Sequence, residues 1–391
     1  MSINEKFIDI ADLNILYDAF IASMKGSSWK GQSQRFEANF LHELIQLKNE
    51  LILKEYKTSP GSEFIQYERG KIRYIHGAII RDRIVRHALC DNILNPSLRP
   101  YLIYNNGASQ KGKGVGFARN MFERDLHNYW LENRTNDGYV GLVDLSKFYD
   151  NIQHKKIKEE LYPKVDKSIL WLLDEILKTF EIDVSYMSDD EYEDCLNIKF
   201  DSVDYHAKIP KDKMTGKKMM AKSIDIGDQV SQSVGVFFPT KIDNYVKIVC
   251  GCKRYGRYMD DMYIIGKTRE EVQSIINGIA EQAEKLGLFI NMKKTKIVKL
   301  SSNYKFLQIR YSLTETGRVI RRITSKALKR ERKKLKAYQR LLIKRMMTYD
   351  NIEQAYKSWM GSFIYIMSKK QILRMQQHYK KLFGKEPKWK T

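Results

Sequence analysis

The chain has 391 residues, with 69 Lys and Arg against 47 Asp and Glu, a formal net charge of +22. This length carries roughly two or three domains' worth of residues, and the 24 Tyr and 16 Phe exclude a disordered basic tail, which lacks the apolar surface needed to offset its ordering entropy. The positive excess calls for a polyanionic partner, nucleic acid ahead of an anionic membrane surface, because each phosphate neutralised by Lys or Arg releases condensed counterions.

The opening stretch lacks a basic region followed by an apolar one, and no window approaches the roughly twenty apolar residues of a membrane span. The expectation is a cytoplasmic protein with no membrane partner. Residues 1–60 place Phe36, Phe40, Leu41, Leu44, Ile45 and Leu47 at helical spacing and stop near Ser59-Pro60-Gly61. From Phe64 to Ile80 the pattern is short, aromatic and β-branched, which predicts a hairpin with Gly70 and Gly77 as turns. A helix is expected from Asp82 to Leu94, ended by Asn95-Pro96. The glycines between Asn105 and Gly116 mark a loop, followed by a helix through Phe117, Met121, Phe122 and Leu126.

Gly138 to Asp144 is an apolar run ending in a carboxylate, the signature of a buried strand. One helix is expected through Leu161, Ile169, Leu172, Leu173 and Ile176. Residues 181–222 shift from acidic to basic and read as an exposed hairpin or insertion. Gln229 to Val249 reads as helix, kinked or split at Pro239. Arg254 to Ile265 reads as strand, turn, strand about Met259-Asp260-Asp261. Beyond it come an amphipathic helix to Gly287, a strand from Leu288 to Met292, a strand pair around Tyr304 to Tyr311, and a basic helical end. The fold class expected is α+β with helical flanks. Cys90, Cys195, Cys250 and Cys252 are too few and too scattered for a disulfide scaffold or a zinc knuckle.

Asp144 and the pair Asp260-Asp261 stand out because each adjoins apolar strand, where an unpaired carboxylate is costly to bury. A divalent cation removes that cost, and Mg²⁺ characteristically takes one or two carboxylates plus substrate phosphates. Two ions about 4 Å apart can activate a hydroxyl and stabilise departing pyrophosphate in an in-line displacement. Neighbouring residues in a strand face opposite ways, so Asp260 and Asp261 approach one site together only in a turn. The plain alternative is that Asp-Asp is merely a turn signal.

Read in order, Asp144 to Asp150, Ile226 to Gln232, Tyr258-Met259-Asp260-Asp261, Leu286 to Thr295 and Phe306-Leu307 form a series that resembles the palm of a reverse transcriptase. The resemblance implies a right-hand polymerase: a helical segment (1–60), fingers (61–137), palm (138–312, with the insertion near 181–222) and a basic thumb (313–391). It implies two Mg²⁺ ions, with Mn²⁺ as a substitute, held by Asp144, Asp260 and Asp261. Tyr149 falls where the family places the aromatic that crowds a ribose 2′ position, and Gln232 is implied beside it at the dNTP. Lys71, Arg73, Arg81 and Arg83 lie where fingers residues hold the triphosphate, guanidinium forks being suited to phosphate. Lys294 lies where related polymerases supply a general acid to pyrophosphate.

The loop from Gly107 to Gly116 resembles the template-side fingers loop, with Lys111 and Lys113 toward nucleic acid; it lacks Walker spacing, which excludes that ATPase motif. The family's usual Gly after Phe306-Leu307 is replaced by Gln308. From Arg321 to Arg345 a basic helix is expected, with one apolar stripe through Ile323, Leu328 and Leu335 and with Arg321, Arg322, Lys326, Lys329 and Arg330 on a duplex backbone. A membrane-surface helix is the rival for this segment.

Ile226 to Gln232 fits the pattern of bacterial and phage diversity-generating retroelement enzymes, and related antiphage-defence reverse transcriptases share much of it. The implied partners are an RNA template, a primer and its cDNA product, dNTPs, a structured non-coding RNA and an accessory protein, in a bacterial cell or phage-infected host. The expected function is RNA-directed DNA synthesis. The alternatives are a self- or protein-primed defence enzyme and, from another class, a non-catalytic RNA-binding scaffold.

Overall fold

The computed structural model describes residues 10–68 and 71–387. The described residues form two compact units, one from 10–68, 71–118, 141–264 and 270–296, the other from 119–140, 265–269 and 297–387.

The first unit opens on the helices Leu13–Met24, Gly31–Ala38 and Phe40–Ile52. Asp12 caps the first by accepting from the Asn14 and Ile15 amides at 2.8 and 3.3 Å. Phe20 stacks on Phe40 at 5.8 Å between centroids, which gives this helical lead-in its own apolar centre. The hairpin follows as β1 (Ser62–Glu68) and β2 (Lys71–Gly77), antiparallel with Glu68 opposite Lys71. Gly70 lies outside the described residues, and Gly77 ends β2 and is not itself a turn.

The next helix starts at Ile80, not Asp82, and does not stop at Asn95-Pro96 as its sequence suggests. It runs Ile80–Leu89, widens into a π-helical turn over Cys90–Leu94 and continues as Asn95–Leu98. Pro96, which offers no N–H to the preceding turn, follows directly on this π-helical widening. The helix Val115–Asn133 leads to β3 (Tyr139–Ser146), buried along nearly its whole length. The single helix expected beyond it is two, His154–Leu161 and Leu170–Lys178, parted by a turn containing Pro163.

The 181–222 segment is more than an exposed hairpin. β4 (Ile182–Asp183) pairs with β5 (Met219–Met220), and the helices Asp189–Asn197 and Ser202–Lys208 lie between them. Ile182, Val184, Phe200, Tyr205 and Met220 form a small core of its own. Helix Gln229–Phe237 ends before Pro239 and resumes as Thr240–Asn244. β6 (Tyr255–Tyr258) and β7 (Asp261–Gly266) form the second hairpin. After the helix Arg269–Lys285, ended by Gly287 at φ +72°, comes a strand of two residues, β8 (Phe289–Ile290), shorter than expected because the chain turns at Asn291.

The central sheet orders these strands β6-β7-β3-β8. Helix Arg269–Lys285 packs closely on it: a Cβ on Gly141 would meet Val272 Cγ1 at 2.6 Å, so β3 needs glycine there.

In the second unit, β9 (Lys296–Lys299) precedes a three-stranded antiparallel sheet of β10 (Tyr304–Phe306), β11 (Ile309–Leu313) and β12 (Val319–Ile323). Phe122 packs against Tyr304, Phe306 and Tyr311. The helices Ser325–Ile343, Tyr349–Gly361 and Lys369–Phe383 share a core that includes Leu335, Ile352, Met360 and Met375. Arg321 and Arg322 therefore belong to a strand, opposite Tyr311 and Arg310, and the basic helix begins only at Ser325. The class is α+β, as expected.

Candidate active site

The centre of the first unit is built from a strand end and a turn. Tyr258 pairs with Asp261 across the β6–β7 hairpin, leaving Met259 and Asp260 as a two-residue turn with Met259 at φ +54°. The Leu145 amide donates to the Asp260 carbonyl at 3.3 Å, which sets the turn beside the backbone that carries Asp144. On the other side the Asn291 amide donates to the Asp144 carbonyl at 2.7 Å. Asn291 also starts the turn that aims Lys294, since its carbonyl accepts from the amides of Lys294 at 3.0 Å and Thr295 at 2.8 Å. Asp144 is buried, and Lys294 Nζ donates to its Oδ1 at 2.5 Å and its Oδ2 at 2.8 Å.

The residue that braces this turn belongs to none of the motifs in the sequence. Arg257 is 1% exposed, yet its guanidinium donates to Asp243 Oδ2 at 2.7 Å, the Val236 carbonyl at 2.8 Å and the Met259 carbonyl at 3.2 Å. Tyr255 Oη donates to the same Asp243 at 2.6 Å. The pair thus joins helix Thr240–Asn244, helix Gln229–Phe237 and the residue before Asp260. It also anchors the glycine loop, whose Gly107 amide donates to the Arg257 carbonyl at 3.0 Å. A charge inside an otherwise apolar strand is the one sequence signal that could have found it.

Tyr149 lies within electrostatic reach of this centre. Burial pushes its hydroxyl up to about 12, and the Asp260 carboxylate adds to the shift while Arg73 opposes it. A Cβ on Gly235 would meet Tyr149 Oη at 3.3 Å, so glycine on helix Gln229–Phe237 leaves room for the ring. Asp228 caps that helix through the Val230 amide at 2.9 Å and forms a buried ion pair with Arg86. Gln232, on the same helix, accepts from Ser109 Oγ at 3.4 Å, which links it to the glycine loop.

Other expected residues are turned elsewhere. Arg81 pairs with Glu50, donates to the Lys57 carbonyl at 3.2 Å and lies over the Tyr56 ring. Arg83 donates to Ser27 Oγ at 3.0 Å, and burial lowers its pKa. Arg81 thus ties helix Ile80–Leu89 to helix Phe40–Ile52 and Arg83 ties it to Ser27, whereas Arg73, on β2, is linked electrostatically to Tyr149. Lys71 begins β2, and its side chain lies outside the described residues. In the glycine loop Lys111 is exposed, but Lys113 folds inward, donating to the Tyr104 carbonyl at 2.8 Å between the Tyr104 and Phe117 rings.

In the second unit Arg321 donates to Glu123 at 3.3 Å, while Arg322, Lys326, Lys329 and Arg330 are exposed. Glu331, the lone acid of that segment, faces the core instead of solvent, and burial raises its pKa.

The carboxylate oxygens of Asp144 and Asp260 are hard donors of the kind Mg²⁺ takes, and two carboxylates are its usual protein share. Among the described residues no three His, Cys, Asp or Glu groups are grouped closely enough to hold a metal ion by themselves. Asp144 is engaged by Lys294 in this structure.

Residues 68–311 match the family model described as Reverse transcriptase (RNA-dependent DNA polymerase). Among solved structures, the chain is similar to telomerase from Candida albicans in complex with a TWJ fragment of telomeric RNA. The identity is 12% and the TM-score 0.43, over 85% of this chain and 62% of that one. No curated protein matches the sequence.

Proposed function

The chain belongs to the reverse transcriptase (RNA-dependent DNA polymerase) family, and from that premise we propose that it extends the 3′ end of a primer with dNTPs on an RNA template at the Asp144–Asp260 centre. It is an RNA-directed DNA polymerase, a nucleotidyltransferase of right-hand fold. The observation that carries the site assignment is the Leu145–Asp260 backbone bond of 3.3 Å, which sets the two aspartates on adjoining backbone.

Asp144 and Asp260 would hold the divalent ions, Mg²⁺ or in its place Mn²⁺, with Asp261 beside them. Bound there, such ions lower the pKa of the primer hydroxyl and neutralise charge on the leaving pyrophosphate. Lys294 holds a proton on Nζ that the pyrophosphate can take up as it departs. Arg73 faces the triphosphate, and Tyr149, backed by the helix of Gln232, crowds the ribose 2′ position and rejects ribonucleotides by steric clash.

The exposed cations of helix Ser325–Ile343 and of β12 follow the template–primer backbone without reading sequence. The Ile226 to Gln232 motif supports a bacterial or phage retroelement as the setting, with a structured RNA and an accessory protein as further partners.

Replacing Asp260 tests the centre. Asp260→Ala should lower dNTP incorporation by about 10³-fold or more, the scale of several kcal/mol of lost transition-state stabilisation. RNA retention in filter binding should be largely unchanged. Undiminished synthesis by the purified variant would refute the assignment.

A further inference from the structure

We propose that Asn151 is a positioning residue that fixes the Tyr149 ring by locking its loop to the 181–222 insertion, so that the insertion takes part in choosing deoxyribo- over ribonucleotides. The inference rests on the reading of Tyr149 as the ribose gate.

The loop after β3 is held chiefly from outside itself. Lys147 takes a left-handed backbone at φ +47°, and the residues behind it must be fixed by something else. Asn151 is fully buried, and both edges of its side-chain amide are used. Nδ2 donates to the Lys147 carbonyl at 2.9 Å and the Phe200 carbonyl at 3.1 Å, while Oδ1 accepts from the Phe200 amide at 2.7 Å. The side chain thus pairs with the insertion as a strand backbone would. Only an amide supplies donors and an acceptor together at this length.

The neighbouring bonds point the same way. Asp150 accepts from Ser202 Oγ at 3.0 Å, and Lys147 Nζ lies 2.6 Å from Asp201 Oδ2. Residues 200–202 therefore grip the loop on both sides of Tyr149. The chain leaving the insertion grips it again: the Ile224 amide donates to the Tyr149 carbonyl at 3.1 Å, and the Ser223 amide to the Ile152 carbonyl at 2.9 Å.

Lys222 makes the insertion itself stiff. Fully buried, it donates from Nζ to the carbonyls of Cys195 at 2.7 Å, Leu196 at 3.1 Å and Ile198 at 2.8 Å, closing the end of helix Asp189–Asn197 onto the exit strand. A steric gate works only when its ring cannot retreat, and displacements of about 1 Å at such positions change rates about 10²-fold. The insertion is the fixed body against which the gate loop is held.

The test compares kcat/KM for a dNTP and its matching rNTP on one RNA template–primer, with melting curves alongside. Asn151→Asp keeps the acceptor and loses both donors. It should lower the dNTP-to-rNTP ratio about tenfold. Ser202→Ala should move the ratio the same way by less. In a Tyr149→Ala background Asn151→Asp should change the ratio little further, the non-additivity expected of residues acting through one another.

If Tyr149→Ala relaxes selection while Asn151→Asp and Ser202→Ala lower both substrates equally, or neither, the positioning role is overturned and the gate stands. If Tyr149→Ala leaves the ratio intact, the gate reading falls and this inference with it. Should Asn151→Asp melt far below the parent, the Ser202→Ala ratio decides on the same terms.

Discussion

His154 starts the helix behind the Tyr149 loop with its ring 3% exposed, and its Nε2–H donates to the Ser223 carbonyl at 2.8 Å. Burial pulls its pKa down to about 4, and the nearby Lys158 adds to the fall. The unfolded chain therefore binds more protons than the folded one between that value and the ordinary imidazole range. Stability should fall as pH drops through this window, by about 3 kcal/mol at its acid end. Denaturant titrations at several pH values check this, and His154→Gln, which keeps a donor, should flatten that part of the profile. At this scale the sequence singled out the residues that recur in a recognisable order, Asp144, Tyr149 and Asp260, and the fold sets the backbone of Asp144 beside that of Asp260. It hid Arg257 and Asn151, because one polar residue within an apolar strand or a loop has no period to betray its partner. It could not show the partners of Arg81 and Lys113, because Glu50 and Tyr104 sit elsewhere in the chain.

Leu307 and Gln308 form the two-residue turn between β10 and β11 with φ of +41° and +73°, both left-handed. Hairpin turns of this kind normally recruit glycine or asparagine, and here the turn is held from outside by Arg119, which donates to the Leu307 carbonyl at 2.7 Å. Gln308→Gly removes the side-chain clash of the left-handed region. It should raise stability by about 1 kcal/mol, read as a shift of the denaturation midpoint. The existence of most helices and strands was legible from hydrophobic spacing. Their limits were not, where bonds outside the strand decide them: β8 stops because the Asn291 carbonyl turns to accept from the Lys294 and Thr295 amides, and Val319–Ile323 is strand because it pairs with β11. The 181–222 segment misled for a different reason. Its charges are consecutive and conspicuous, whereas its core residues Ile182, Val184, Phe200, Tyr205 and Met220 are dispersed along the chain.

Over the whole molecule the net charge of +22 is spread unevenly in its use. Some cations are internal fasteners, Arg81, Arg86, Arg257 and Lys222 among them, while Arg322, Lys326, Lys329 and Arg330 remain exposed. Among the described residues no helix is long and apolar enough to cross a membrane. RNA affinity should fall steeply with salt, and replacing Lys326, Lys329 and Arg330 together by Ala should lessen the log–log slope by about one for each phosphate no longer neutralised. An unchanged slope in equilibrium binding would mean that the helix Ser325–Ile343 does not track the backbone. The Lys294–Asp144 pair has a consequence of another kind. A lysine seated on the carboxylate is a resident competitor for any incoming cation, so occupancy of the centre becomes an exchange between two positive charges. Lys294→Ala should then reach half-maximal Mg²⁺ response at a lower ion concentration while turning over more slowly, so that affinity and speed move in opposite directions in one metal titration.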